Sequence, residues 1–88
     1  MTGESKFPEW WDWELSFTGH VESRMEQREM TEVDVRAMLE RAVSYEASVV
    51  EGRFMIPAVH SKQPWNVIVE PDLDARLLVV VTVYEVLR

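Results

Sequence analysis

The amino-acid sequence predicts an α+β domain with an N-terminal strand, two helices and then an antiparallel sheet of about four strands. Apolar residues alternate from Trp11 to Phe17, and two threonines, Thr18 and Thr31, each precede a segment with helical spacing. From Tyr45 onward, short apolar segments are separated by turn-forming residues. Because the helical segments are consecutive, we expect both helices to pack on one face of a single sheet.

The first strand is predicted from a strict alternation. Apolar side chains at Trp11, Trp13, Leu15 and Phe17 fall on one face, and polar side chains fall on the other. This period is typical of a half-buried strand. Residues 1–10 are expected to form a flexible N-terminal lead-in, and residues 11–88 a single domain.

Each helix begins at a threonine that can accept a hydrogen bond from the first turn. The helix after Thr18 is predicted from about residue 19 to residue 29. The helix after Thr31 is predicted from about residue 32 to residue 43, and Asp34 lies three positions after the threonine, as in a capping box.

Four strands are predicted after the helices, over residues 45–50, 53–60, 65–70 and 77–86. Pro57 cannot donate a backbone hydrogen bond, which places the second of these strands at an edge or a bulge. The last strand is apolar at successive positions, so we expect it to be central and covered on both faces. On an unbroken strand, Tyr84 shares a face with Leu78, Val80 and Thr82.

The composition restricts the class of protein. The chain has 88 residues, no cysteine and a formal net charge of −7, and its longest apolar run is too short to cross a bilayer. We therefore expect one cytoplasmic domain without disulfides or membrane contact. The acidic charge opposes a nucleic-acid partner, because binders of RNA or DNA usually present a basic surface.

His20, Arg24 and Arg28 form one stripe along the first helix, since they are spaced by four residues. Arg24 has no acidic residue three or four positions away, so its charge must be balanced from elsewhere. Two sources are open: a phosphate or acidic partner outside the chain, or a carboxylate of the sheet. The sheet candidates are Glu70, Asp72 and Glu85.

His20 lies where the helix dipole disfavours its protonated form, so it is a candidate general base, or else a residue that hydrogen-bonds to backbone. A second, weaker set of phosphate-binding candidates comprises Arg53, His60 and Lys62. Arg53 and His60 are seven positions apart, so an unbroken strand would place them on opposite faces. Tyr84 is either a catalytic group or a residue at the edge of the core with a satisfied hydroxyl.

Trp10, Trp11 and Trp13 are candidates for a partner surface, for a contact in a homodimer or for the core. Metal and cofactor sites are not expected. The chain has two histidines and three glycines, and no glycine-rich phosphate loop.

Residues 20–28, with a histidine and two arginines at four-residue steps, precede a capped second helix over residues 30–35. This pattern resembles a branch of small bacterial and phage domains of unknown function, as do the strand segments 65–69 and 78–84. That branch is similar to the RelE/ParE toxin superfamily. The likeness extends over about residues 15–84.

The resemblance implies membership of a toxin–antitoxin pair. RelE-like members cleave messenger RNA, often on the ribosome, without a metal, and ParE-like members act on gyrase. The matching positions imply His20, Arg24, Arg28 and Tyr84 as catalytic residues of a ribonuclease, with an antitoxin and RNA as partners. A non-catalytic protein-binding module on the same scaffold and a gyrase-type poison are the alternatives.

Overall fold

The computed structural model describes residues 7–87. The chain forms a short 3₁₀ helix and then seven further elements in the order β1-α1-α2-β2-β3-β4-β5. Their bounds are Glu9–Asp12 for the 3₁₀ helix, Glu14–Phe17 for β1, Gly19–Gln27 for α1, Glu32–Arg41 for α2, Glu46–Ala47 for β2, Phe54–His60 for β3, Gln63–Asp72 for β4 and Leu77–Glu85 for β5.

The strands form one five-stranded sheet in the order β1-β5-β4-β3-β2. The α+β class predicted from the sequence is confirmed. The sheet is mixed, however, because β1 runs parallel to β5 while the other neighbours are antiparallel. The return of β1 to the last strand is a long-range pairing, which the local periodicity of the sequence does not specify.

Threonine caps begin both helices, as predicted. The Thr18 side chain accepts a hydrogen bond from the backbone N–H of Val21 at 3.0 Å. Thr31 and Asp34 form a reciprocal capping box, in which each side chain accepts from the backbone of the other residue. The bond from the Thr31 backbone N–H lowers the pKa of the Asp34 carboxyl below its ordinary value.

Both helices pack on the same face of the sheet, which we call the helix-covered face. In β4 the alternate residues Trp65, Val67 and Val69 meet the buried side chains of β3 and β5 under the helices. Ile68 is also buried but lies outside this cluster, on the opposite face of the strand. The core comprises Val21, Met25, Met30, Val35, Met38, Ile56, Ala58, Trp65, Val67, Val69, Leu78, Val80 and Val83, together with Trp10. We call the opposite surface the open face.

A β-bulge in β5 changes the face on which its later residues lie. Val69 of β4 is opposite Val80, whereas Ile68 is opposite Thr82, so Val81 is an extra residue. Val80 and Val83 are therefore both buried under the helices. The prediction that Tyr84 shares a face with Val80 is wrong, because the bulge places Tyr84 on the open face.

The prediction that β5 is covered on both faces is also wrong. Strand β5 is central, between β1 and β4. Among the described residues, however, both helices cover the same face. Val79 and Val81 remain half-exposed on the open face. Their side chains are apolar although no described helix covers them.

The N-terminal aromatic residues depart from the predicted strand. Residues 9–12 form the 3₁₀ helix, so the regular alternation of β1 begins only at Glu14. Trp10 is 8% exposed and packs against Phe54 of β3 in a tilted arrangement, with ring centroids 4.9 Å apart. The packed part of the domain therefore begins before residue 11. Residues 1–6 of the predicted lead-in lie outside the described residues.

The edge at β3 matches its proline. Strands β3 and β4 are joined by a two-residue turn in which Ser61 and Lys62 both have positive φ, as in a type I′ hairpin. The predicted strand over residues 45–50 is reduced to Glu46–Ala47. Beyond Met55 no described strand pairs with the outer side of β3, so Pro57 lies on an edge, as its missing N–H predicts.

Candidate functional site

The predicted stripe of α1 lies along a strand edge. β1 pairs with β5 only as far as Val80, so the following residues of β5 have no strand on that side. The Thr18 side chain donates to the Val81 carbonyl at 3.2 Å. His20 follows, with its Nε2 atom 3.4 Å from the Thr82 hydroxyl. The start of α1 thus covers the edge of β5 beyond the point where β1 ends.

Arg24 lies at the centre of the stripe. Its Nε atom donates to the backbone carbonyl of Val83 at 3.0 Å. The Val80 carbonyl accepts from the Thr18 backbone N–H. Beyond Val80 the bulge turns the Val81 and Val83 carbonyls toward α1, which makes the bond to Arg24 possible. No carboxylate among the described residues forms an ion pair with Arg24, and its two terminal nitrogens make no hydrogen bond there.

Arg28 completes the stripe at the far end of β5. One of its terminal nitrogens lies 3.8 Å from a carboxylate oxygen of Glu85, and half of the Arg28 side chain is exposed. A pair this long and this exposed contributes little to stability. Its main effect is to reduce the local positive charge at this end of the stripe.

Tyr84 lies on the open face and is directed away from α1. Its hydroxyl accepts from the Asn66 side chain at 3.4 Å and donates to the sulfur of Met55 at 3.7 Å. Asn66 and Met55 belong to β4 and β3, on the side of β5 opposite to the stripe. The structure therefore brings His20, Arg24 and Arg28 together, and it separates the Tyr84 hydroxyl from them.

The second set of candidates is dispersed. Arg53 pairs with Glu70 on the open face, with 2.9 Å between Nε and the carboxylate oxygen. His60 lies edge-on to Trp65, whose side chain is on the helix-covered face. Lys62 is exposed in the β3–β4 turn. The seven-residue spacing of Arg53 and His60 does place them on opposite faces, so these cations form no common site.

The tryptophans are engaged with the core to different degrees. Trp10 is buried, whereas Trp11 and Trp13 are half-buried and pack against the core from its edge. Trp11 stacks on Phe7 at 4.3 Å between ring centroids, and the Arg76 guanidinium lies 5.2 Å above the Trp13 ring. Only Trp11 and Trp13 retain surface for a partner.

Sequence reasoning missed how much β5 contributes to this site. Thr18 was predicted as a helix cap, but its hydroxyl also bonds to Val81. Glu85 was one of three possible partners for Arg24, and it pairs with Arg28 instead. A bulge leaves no clear mark in a run of valines, so the direction of the Val83 carbonyl could not be read from the sequence.

Residues 7–87 contain no group of three or more histidine, aspartate or glutamate side chains placed to hold a metal ion. No helix in the described part of the chain is long and apolar enough to span a membrane. The stripe itself places an imidazole and two guanidinium groups beside a strand edge.

Comparison with known proteins places the chain in a family. No curated protein and no solved structure matches it. The family model described as Domain of unknown function (DUF4258) matches residues 17–85, from the last residue of β1 to the last residue of β5. The match includes the whole stripe and the part of β5 that it covers. The chain belongs to this family of domains of unknown function.

Proposed function

We propose that this chain is a toxin-like domain of a toxin–antitoxin type system, and that its α1 stripe acts on RNA phosphodiesters without a metal ion. The observation that carries the proposal is the state of Arg24. Its Nε is tethered to the Val83 carbonyl, while its two terminal nitrogens have no partner among the described residues. The tether fixes the direction of a guanidinium that still has donors for a phosphate.

The neighbours of Arg24 supply the other groups that RNA cleavage needs. His20 is exposed at the start of α1 and could take the proton of a ribose 2′-hydroxyl. The resulting oxygen attacks phosphorus, the bond to the 5′-oxygen breaks, and that oxygen takes a proton from water. Arg24 would stabilise the charge on the phosphorane, with Arg28 assisting after release from Glu85. The product would carry a 2′,3′-cyclic phosphate.

A second candidate is a non-catalytic module that acts by binding a protein, such as a gyrase-type poison. Three observations favour it. Arg28 is already paired with Glu85, and the Tyr84 hydroxyl is occupied on the far side of β5. The net charge of −7 also opposes close approach of RNA.

Induced expression in a bacterial host separates these candidates. Growth and total RNA integrity would be measured for the wild type, His20→Ala and Arg24→Met, with folding checked by circular dichroism. Arg41→Met is the matched control, because Arg41 is an exposed arginine at the end of α2. We expect the wild type and the control to arrest growth and fragment RNA. Folded His20→Ala and Arg24→Met should do neither. Arrest with intact RNA would favour the gyrase-type poison. Normal growth with intact RNA would contradict both the ribonuclease and the poison, and would favour a non-catalytic protein-binding module.

A further inference from the structure

The outer edge of β1 has no strand beside it among residues 7–87. β1 is the first strand of the sheet, and β5 is its only described neighbour. The backbone N–H of Thr18 bonds to the Val80 carbonyl, and this continues a parallel ladder in which Ser16 also faces β5. Because backbone groups alternate in direction along a strand, those of Leu15 and Phe17 point away from the sheet. β1 therefore presents donors and acceptors to which another strand could bond.

The opposite edge of the sheet is less suitable for pairing. The two-residue hairpin makes His60 bond to β4, so the backbone groups of Pro57 and Val59 point outward from β3. Pro57 has no N–H, and β2 already covers Met55. A proline on an edge strand is a common protection against strand addition. β1 has no such protection.

An apolar groove lies beside the free edge of β1 on the helix-covered face. It has a volume of about 410 Å³ and is formed by residues 11–15 and by one side of α2. Its apolar lining comes from Trp11, Trp13, Leu15 and Leu39, all half-buried at the border of the core. The core is therefore incompletely closed where the strand edge is also unpaired.

The charges around this groove identify the chemistry of an occupant. Its rim carries the carboxylates of Asp12, Glu14 and Glu40 and the guanidinium of Arg36. The Arg76 guanidinium also lies over the Trp13 ring, but it is paired with Glu9, so the groove keeps an excess of negative charge. A second copy of the chain would bring the same carboxylates to the same edge, and like charges in contact are unfavourable. A segment with basic side chains would be attracted instead.

We propose that the free edge of β1 and its groove bind an extended, basic and apolar segment of a partner protein by strand addition. A strand placed beside Leu15 and Phe17 directs alternate side chains toward the helix-covered face, where apolar ones enter the groove. Basic side chains at the intervening positions and at the ends meet the carboxylate rim. This surface is separate from the α1 stripe, so the inference does not depend on the proposed function.

A synthetic peptide of alternating lysine and valine, seven residues long and capped at both ends, is the direct probe. Binding to the full chain would be measured by the change in tryptophan fluorescence, since Trp11 and Trp13 line the groove. We expect saturable binding that Glu40→Lys weakens at least tenfold. Glu51→Lys is the matched control on an exposed turn, and it should leave the affinity within twofold. Equal weakening by both variants would overturn the proposal.

Two N-methylated peptides test the strand geometry. One carries N-methyl groups on its valines and the other on its lysines, so each blocks the N–H groups of one edge only. Strand addition predicts that one of the two loses binding while the other retains it. Equal affinity of both peptides, or a stable dimer of the chain that the peptide fails to dissociate, would overturn the proposal.

Discussion

The two halves of β5 have different neighbours on the same side. Residues 77–80 lie beside β1 and share a regular parallel ladder with it. Residues 81–85 lie beside α1. The side chains of its N-cap Thr18 and of Arg24 bond to Val81 and Val83 in place of a strand. The bulge marks the boundary between these two arrangements. A strand edge can thus be covered by backbone or by long polar side chains.

The difference bears on how the stripe should be interpreted. A backbone ladder uses in pairing all of the backbone groups that face the neighbouring strand. A side-chain covering uses only some, so Arg24 supports β5 with one nitrogen and retains two others for a ligand. A residue with one donor could either anchor β5 or bind a ligand, but not both. An arginine has enough donors for both roles.

The largest expected effect concerns the half that is covered by β1. Leu78 is 1% exposed under the helices, and Leu78→Ala should lower the free energy of unfolding by about 3 kcal/mol, because it removes buried contacts and leaves a cavity. Urea denaturation measures the change. Leu87→Ala, at an exposed position just after β5, should change the same quantity by less than about 0.5 kcal/mol. Similar losses for both variants would contradict the packing described.

An intermediate effect is expected where the two arrangements meet. Thr18→Val removes both the cap of α1 and the bond to the Val81 carbonyl, so it should cost about 2 kcal/mol of unfolding free energy. Thr31→Val removes a cap without a bond to the sheet and should cost about 1 kcal/mol. Thermal or urea unfolding compares the two. If Thr31→Val cost as much as Thr18→Val, the bond to β5 would contribute nothing.

The smallest effects are expected within the side-chain covering. Arg24→Met retains most of the apolar stem and loses the bond to Val83, which should cost about 1 kcal/mol of unfolding free energy. Arg28→Met removes only an exposed ion pair and should cost less than about 0.5 kcal/mol. Urea denaturation would order the two. A larger loss for Arg28→Met would mean that Glu85, and not the Val83 carbonyl, anchors α1 to the sheet.

The predictable parts of this molecule are those set by local sequence. Both threonine caps, the spacing of the stripe and the edge position of Pro57 depend on chemistry within a few residues. The i, i+4 spacing brings His20, Arg24 and Arg28 to one side of α1 whatever the tertiary fold. The α+β class follows from the order of the same local signals.

The parts that could not be predicted depend on long-range pairing. β1 and β5 are separated by about sixty residues of chain, and nothing in either segment specifies that they run parallel. Trp11 and Trp13 fit a strand alternation equally well, but the burial of Trp10 against Phe54 draws this segment into a 3₁₀ helix. The bulge among successive valines then reversed the expected face of Tyr84.

The most direct test of the central claim is RNA cleavage by the purified chain in the presence of EDTA. A 5′-labelled single-stranded RNA would be incubated with wild type, Arg24→Met and the control Arg41→Met. We predict fragments ending in a 2′,3′-cyclic phosphate from the wild type and the control, and at least a hundredfold slower cleavage by folded Arg24→Met. Intact RNA with all three proteins, or equal cleavage by all three, would contradict a catalytic role for the stripe.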